Sequence, residues 1–183
     1  MMRFVLKFAG VILTILLAFL IGTTILFRYN KNRDYQKEML ATFENNKDLF
    51  SAVANELAPF SSFGWIIQRG GVPNSSGHDK TFFSNGLSVV IQLHQFQLSY
   101  KDPEKASALK DIAATSTNIE KMIKKLRFRQ IQSPFIDPGD IVFIKDTTVG
   151  RINGVIFAPN DPPQSKFYSN LTELEPGWYY YEG

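Results

Sequence analysis

The amino-terminal region contains an apolar run from Phe8 to Phe27, FAGVILTILLAFLIGTTILF, with no charged residue and no proline. At the helical rise of about 1.5 Å per residue it would extend roughly 30 Å, the thickness of the hydrocarbon core of a bilayer. A cleaved signal peptide has a shorter apolar core and a small-x-small cleavage site, which this run lacks. A buried helix of this length rarely lacks polar residues on every face. The run therefore predicts an uncleaved transmembrane anchor within residues 1–28, which inserts into the lipid bilayer through residues 8–27.

Basic residues on both sides of the run bear on its orientation. Two precede it and four follow it closely: Arg3, Lys7, Arg28, Lys31, Arg33 and Lys37. A count of Lys and Arg alone places the larger part of the chain on the cytoplasmic side. However, the short basic leader is typical of a signal anchor, and large domains translocate largely regardless of charge. We favour a single-pass protein of the cell membrane with its large domain extracytoplasmic, and the inward-facing arrangement is the alternative.

Composition excludes several classes of site. The chain of 183 residues has no cysteine, which excludes disulfides, zinc sites with thiolate ligands and a cysteine nucleophile. The net charge of +3 comes partly from the flanks of the apolar run, so no nucleic-acid partner is expected. The remaining chain, about 150 residues long, is sufficient for one domain with a hydrophobic core.

Two helices are predicted after the anchor. The first, in a juxtamembrane and amphipathic segment over residues 29–60, covers 35–57 and ends before Pro59. Its apolar positions recur at helical spacing: Met39, Phe43, Phe50, Val53, Ala54 and Leu57. The second begins at Asp102-Pro103-Glu104, which combines an N-cap, a first-turn proline and an acidic residue, and extends to about Leu126.

Seven short segments have the composition and periodicity of strands: 63–68, 81–83, 87–100, 127–132, 141–145, 150–158 and 178–181. Asn85-Gly86 predicts a hairpin turn between the second and third. The apolar phase of the third slips near His94, which predicts a bulge. Asn153-Gly154 is interpreted as a turn or a bulge. The order of helices and strands predicts an α+β domain over residues 61–183, with an antiparallel sheet packed against one or two helices.

No arrangement of residues specifies catalysis or metal binding. His78-Asp79 lies in a polar loop and His94 on a predicted strand, without the spacing of metal ligands. An envelope hydrolase using these three residues is the alternative function. Arg69-Gly70-Gly71 lacks the pattern of a phosphate-binding loop, and four aspartates at turns or strand ends lack calcium-loop spacing: Asp137, Asp140, Asp146 and Asp161. We therefore predict no catalytic residues, no metal site and no cofactor.

Two surface features remain as candidates for binding. Consecutive aromatic residues in a strand project to both faces, so Trp178, Tyr179, Tyr180 and Tyr181 form a candidate binding site. Packing beneath a helix is the interpretation we favour for them. The basic segment from Lys121 to Arg129 could bind phosphates or anionic lipid, although we favour interaction with the dipole of the preceding helix.

The carboxyl-terminal quarter resembles a group of small proteins of Gram-positive bacteria. The resemblance rests on Gly154–Asn160 (GVIFAPN), Leu171, Leu174 and Pro176–Glu182 (PGWYYYE). These proteins have one amino-terminal membrane helix and no assigned function. The resemblance implies a bacterial membrane-anchored protein and supplies no catalytic residue.

Together these features favour a non-enzymatic, membrane-anchored domain that binds a protein or an envelope component outside the cytoplasm. An immunity protein or a secretion accessory would fit this description. The alternatives are the envelope hydrolase and an inward-facing, membrane-tethered regulator.

Overall fold

The computed structural model describes residues 16–24, 35–70, 80–84, 86–91, 103–134, 139–148, 151–160, 162–163 and 168–182. The chain forms two compact units, Met1–Ala41 and Thr42–Gly183. The second unit is α+β, with helices packed on an antiparallel sheet. This confirms the fold class predicted for the part of the chain that follows the apolar run.

The amino-terminal apolar run is described in part, as a helix over residues 16–24. Among the described residues, no helix has both the length and the apolar character needed to cross a membrane. Residues 8–15 and 25–27 of the predicted span lie outside the described ranges.

Five helical segments are described in the ranges that follow this helix. Helix α1 covers residues 35–44, α2 covers Lys47–Leu57 and a 3₁₀ turn covers Ala58–Phe60. Helix α3 covers Pro103–Thr115, and α4 covers Thr117–Glu120 and continues as a π-helical turn, Lys121–Lys125. The apolar positions predicted for the first helix are buried: Met39, Phe43, Phe50, Val53, Ala54 and Leu57.

Both predicted helices are interrupted by polar residues, the first at Asn45 and Asn46 and the second at Ser116. Asn46 lies between α1 and α2, and its side-chain amide donates to the carbonyl oxygen of Thr42 at 2.8 Å. Ser116 has an extended backbone, and its hydroxyl oxygen accepts a hydrogen bond from the Ile119 amide at 3.1 Å, which caps α4. The Asn46 side chain thus bonds back to the last turn of α1 and makes no cap hydrogen bond to α2, whereas the Ser116 side chain caps the helix that follows it.

Glu56 at the end of α2 connects the two helical regions. Its carboxylate accepts hydrogen bonds from the Ser116 hydroxyl at 2.5 Å and from the Asn118 amide at 2.6 Å. The interruption at Ser116 is therefore also a contact between segments about sixty residues apart in the sequence.

All eight strands belong to one sheet in which every neighbouring pair is antiparallel, in the order β2-β3-β1-β4-β5-β6-β8-β7. Their bounds are β1 Trp65–Arg69, β2 Lys80–Ser84, β3 Leu87–Ile91, β4 Gln130–Ser133, β5 Ile141–Thr148, β6 Arg151–Phe157, β7 Ser169–Glu175 and β8 Trp178–Glu182. The predicted hairpin at Asn85-Gly86 is confirmed, because Ser84 pairs with Leu87 and Gly86 has a positive φ of 73°. Strand β7 was not predicted.

The strand predicted over residues 87–100 is described only for β3, where all five residues are buried. Because successive side chains of a strand point to opposite faces, both faces of the sheet are covered at β3. The predicted phase slip near His94 lies outside the described residues.

One row of side chains crosses six strands and forms the centre of the core. Its members are paired in register from one strand to the next and are all buried: Val89, Ile67, Ile131, Phe143, Val155 and Tyr180. Helix α2 covers this face, since the ring of Phe50 lies 5.2 Å from the ring of Phe143. The opposite face carries a second cluster of buried residues: Val142, Ile144, Ile156, Ala158, Tyr168 and Tyr181.

The pair Asn153-Gly154 lies inside β6, opposite a bulge in β5. The register of β5 and β6 shifts between Ile144 and Asp146, so Lys145 is the extra residue. A Cβ atom at position 154 would collide with the carbonyl oxygen of Phe143 and would lie 3.1 Å from the ring of Tyr181. Glycine is therefore required here by close packing. The predicted bulge is present at this point of the β5–β6 pair, but its extra residue belongs to β5 and not to Asn153-Gly154.

Candidate functional site

Strand β8 carries the four aromatic residues of the predicted binding site and lies between β6 and β7, inside the sheet. Successive side chains of a strand point to opposite faces. Trp178 and Tyr180 therefore share the face covered by helix α2, whereas Tyr179 and Tyr181 lie on the face of the second cluster.

Trp178 is part of the aromatic core and is only 5% exposed. Four phenylalanine rings lie within 6 Å of its ring centroid: Phe157 at 4.8 Å, Phe43 at 5.3 Å, Phe50 at 5.8 Å and Phe143 at 5.9 Å. Phe50 belongs to α2. For Trp178, the interpretation as packing beneath a helix is confirmed.

Tyr180 is buried, and its hydroxyl donates a hydrogen bond to Oε1 of Glu182 at 2.9 Å. Burial is the main reason that the pKa of Tyr180 is raised above the usual 10.0, and the Glu182 carboxylate raises the pKa further. The phenol therefore remains protonated at neutral pH and positions the Glu182 side chain.

Tyr181 is 2% exposed, and its ring meets that of Tyr168 at 5.0 Å with an interplanar angle of 69°. Its hydroxyl is buried and has no hydrogen-bond partner among the described residues. Burial, followed by the proximity of Tyr168 and Tyr180, raises its pKa well above 10.0. This side chain contributes packing on the second face of the sheet.

Tyr179 differs from the other three residues because it is half-buried and packs at the margin of the second cluster. Its neighbour across the strand pair is Glu173 of β7, which is exposed. Of the four residues, Tyr179 is thus the one that a binding partner could reach without unfolding the sheet. A binding role for the group remains a prediction.

The second candidate is the basic segment at the end of the π-helical turn. Lys121, Lys125 and Arg127 are exposed, and we call these three residues the basic corner. Lys124 pairs with Glu120 at 3.1 Å. Lys145, from the bulge in β5, donates its ammonium to the carbonyl oxygen of Leu126 at 2.8 Å.

The contribution of Lys145 was missed in the sequence because it depends on tertiary structure. Its Nζ also lies 5.2 Å from the ring centroid of Phe128, within the range of a cation–π interaction. A residue from a strand therefore makes the direct contact with the end of the helix, whereas the sequence predicts lysines of the helix itself in this role.

The remaining sequence candidates fall largely outside the described ranges. His78, Asp79 and His94 are all outside them. Of the Arg69-Gly70-Gly71 segment, Arg69 is the exposed end of β1 and Gly70 has a positive φ of 34°. Within the ranges that the structure describes, no three His, Asp or Glu residues are grouped so that they could hold a metal ion.

Comparisons of the chain with protein-family models, with curated proteins and with solved structures found no match. The resemblance to small Gram-positive membrane proteins therefore stays a prediction from the carboxyl-terminal motifs.

Proposed function

We propose that residues 8–27 form a transmembrane anchor and that the α+β domain acts outside the cytoplasm by binding a protein or an envelope component, without catalysis. The observation that supports the anchor best is the exposure of large apolar side chains along the helix over residues 16–24. Five of them are between 53% and 69% exposed: Leu16, Leu17, Phe19, Leu20 and Ile21. Together with the exposed Ala18, they leave no polar face over these positions.

The two hydroxyls of this helix also suit an apolar solvent. Thr23 donates to the carbonyl oxygens of Phe19 and Leu20, each at 3.0 Å, and Thr24 donates to that of Leu20 at 2.7 Å. Each hydroxyl proton is thus satisfied within the helix, as a lipid environment requires.

The proposal that the domain binds a partner rests on the sequence and on Tyr179. The sequence contains no catalytic motif, and the carboxyl-terminal motifs resemble those of membrane-anchored bacterial proteins. Tyr179 supplies a partly accessible aromatic ring beside the edge strand β7. Tyrosine is among the residues most enriched in the hot spots of protein interfaces.

Membrane attachment is tested by fractionating cells that express the full chain and washing the membranes with alkaline carbonate. Retention in the washed membrane supports the anchor, and release into the supernatant contradicts it. Fusions of alkaline phosphatase and of green fluorescent protein to the carboxyl terminus then distinguish an extracytoplasmic domain from an inward-facing one.

Partner binding is tested by crosslinking in native membranes and identifying the captured proteins by mass spectrometry. The informative variant is Tyr179→Ala, because Trp178 and Tyr180 are buried and their removal would destabilise the domain itself. Thr172→Ala, at an exposed position on the adjacent β7, is the control. A partner lost with Tyr179→Ala and retained with Thr172→Ala supports the proposal, and equal capture by both variants contradicts a role for Tyr179.

A further inference from the structure

The basic corner carries charge that the fold itself does not use. Exposed lysines near a helix end are ordinarily explained by the partial negative charge of the terminal carbonyl groups. Here Lys145 of β5 makes the direct hydrogen bond to that end, at the carbonyl oxygen of Leu126. Lys121, Lys125 and Arg127 make no side-chain bond of this kind among the described residues, and all three are exposed to a partner outside the domain.

No carboxylate among the described residues pairs with the basic corner. Glu120, on the same helix, is engaged by Lys124 at 3.1 Å. Lys121 and Lys125 are four residues apart, so both lie on the same side of the turn. The amide of Leu126 donates to the carbonyl oxygen of Lys121 at 3.0 Å, which brings the two ends of the turn together.

Arg127 adds a third cation from a strained backbone position. Its φ is 59°, in the left-handed region that usually contains glycine at the end of a helix. The amide of the next residue, Phe128, donates back to the carbonyl oxygen of Met122 at 3.2 Å, so the chain reverses at Arg127. An exposed arginine thus occupies a backbone position where glycine would relieve the strain. Backbone strain of this kind and π-helical turns are both frequent at functional positions.

We propose that the basic corner binds the headgroup phosphates of anionic phospholipid. This inference rests on the proposed function, because the anchor would keep the domain near a bilayer surface at high effective concentration. Clustered lysines and arginines with no acidic partner are complementary to an anionic surface. Each such residue raises the binding constant for that surface about fivefold. Arginine and lysine can both donate hydrogen bonds to phosphate oxygens. The domain would then rest on the membrane through this corner.

The experiment uses the full chain in nanodiscs of pure phosphatidylcholine, or of phosphatidylcholine mixed with phosphatidylglycerol. Because the chain has no cysteine, one fluorophore can be attached at Thr117→Cys, one turn before Lys121, or at Thr172→Cys on β7. Both threonines are exposed. Contact with the membrane is measured as quenching of the fluorophore by a lipid with a spin-labelled headgroup.

The expected result is stronger quenching at position 117 when phosphatidylglycerol is present, with no change at position 172. Salt of about 0.5 M should reverse the effect by screening. Lys121→Gln with Lys125→Gln should weaken docking about 25-fold, as the product of two fivefold effects. The matched control, Lys105→Gln with Lys110→Gln on α3, removes the same charge elsewhere and should leave docking unchanged.

Arg127→Gly separates lipid binding from a purely structural role. It should raise the melting temperature by relieving the left-handed strain and also weaken docking about fivefold. A variant that is more stable and docks as well as the wild type would contradict a role for Arg127 in lipid binding.

The remaining outcomes distinguish the two proposals. Equal quenching in both lipid mixtures, in chains that alkaline carbonate does not release, overturns the lipid inference and leaves the anchor intact. Release by carbonate overturns both. Inorganic polyphosphate is added as a soluble competitor for the basic corner. If polyphosphate binds there but phosphatidylglycerol does not increase the quenching at position 117, the assignment to lipid is overturned.

Discussion

The helix over residues 16–24 and strand β8 are both rich in large apolar or aromatic side chains, yet their environments are opposite. The large side chains of the helix are more than half exposed, whereas Trp178, Tyr180 and Tyr181 are at most 5% exposed. The strand lies inside a sheet whose two faces are both covered at this point. An apolar segment is thus expected to avoid water, but the sequence of the segment alone does not show whether the rest of the protein covers it.

The polar atoms of the two regions differ in the same way. The hydroxyls of Thr23 and Thr24 bond to their own helix, which makes that segment self-sufficient in hydrogen bonding. Tyr180 instead needs Glu182 of the same strand, and the Tyr181 hydroxyl has no partner among the described residues. The helix fits a solvent without hydrogen-bonding groups, and the strand fits a packed protein interior.

The largest expected effect is on membrane attachment. Leu16→Arg combined with Leu20→Arg places two charges in the proposed span, which opposes insertion by about 5 kcal/mol. We expect the chain to move from the carbonate-washed membrane to the soluble fraction. Leu16→Ile combined with Leu20→Ile is the control that keeps the apolar character. Full membrane retention of the arginine variant would contradict the proposal that the exposed apolar side chains of this helix lie in lipid.

The next largest effect is on the aromatic core. Trp178→Ala removes a ring that contacts four phenylalanine rings, so we expect a loss of about 4 kcal/mol in the free energy of unfolding. Tyr179→Ala, its half-buried neighbour, should lose about 1 kcal/mol. Urea denaturation of the two variants measures the difference. Similar losses would mean that the two faces of β8 are packed alike.

Replacing a glycine by alanine tests how closely strand β6 and the amino-terminal helix are packed. Gly154→Ala forces a Cβ against the Phe143 carbonyl and the Tyr181 ring, so it should destabilise the domain by about 3 kcal/mol. Gly22→Ala is the matched change in the amino-terminal helix, where no described atom beyond the adjacent backbone of that helix lies within 4 Å of the added Cβ. We expect it to leave the melting temperature of the domain unchanged. A tolerated Gly154→Ala would argue against the bulge geometry of β5.

The smallest effect concerns the buried phenols. Both Tyr180 and Tyr181 have pKa values raised above 10.0, so the folded chain retains protons that the unfolded chain releases near that pH. Their contribution to stability is therefore complete below about pH 10 and is lost as the pH rises further. Tyr181→Phe should make this alkaline loss less steep.

At neutral pH the same variant should be neutral, or stabilising by up to about 1 kcal/mol, because the hydroxyl it removes has no partner among the described residues. Chemical denaturation at neutral and alkaline pH measures both effects. A marked loss of stability at neutral pH would mean that the hydroxyl does have a bonding partner.

Local patterns were sufficient to predict much of this fold. The helical spacing from Met39 to Leu57 identified the buried face correctly, because burial follows the 3.6-residue period. Asn85-Gly86 identified the β2–β3 hairpin, since a two-residue turn fixes the pairing of its strands. These features depend on neighbours within a few residues.

Features that depend on distant neighbours could not be predicted in this way. No local pattern indicates that Ser116 contacts Glu56, or that Lys145 bonds to the end of a helix about twenty residues earlier. The burial of Trp178 requires β8 to lie between β6 and β7, which is a property of the sheet order. The accessible ring of the candidate site, Tyr179, was therefore not distinguished from its three buried neighbours.

The position of β1 in the sheet has a consequence for the order of folding. Strand β1 pairs with β3 on one side and with β4 on the other, where Trp65 lies opposite Ser133. Its first partner is nearby in the sequence, but its second follows only after the whole of α3 and α4. Bringing β4 to β1 requires closing a long loop, and the entropy cost of that closure slows the pairing. We therefore expect β1 to be paired only with β3 while the ribosome synthesises α3 and α4. During that interval, the unpaired side of β1 would be the part of the nascent chain most in need of protection from other strands.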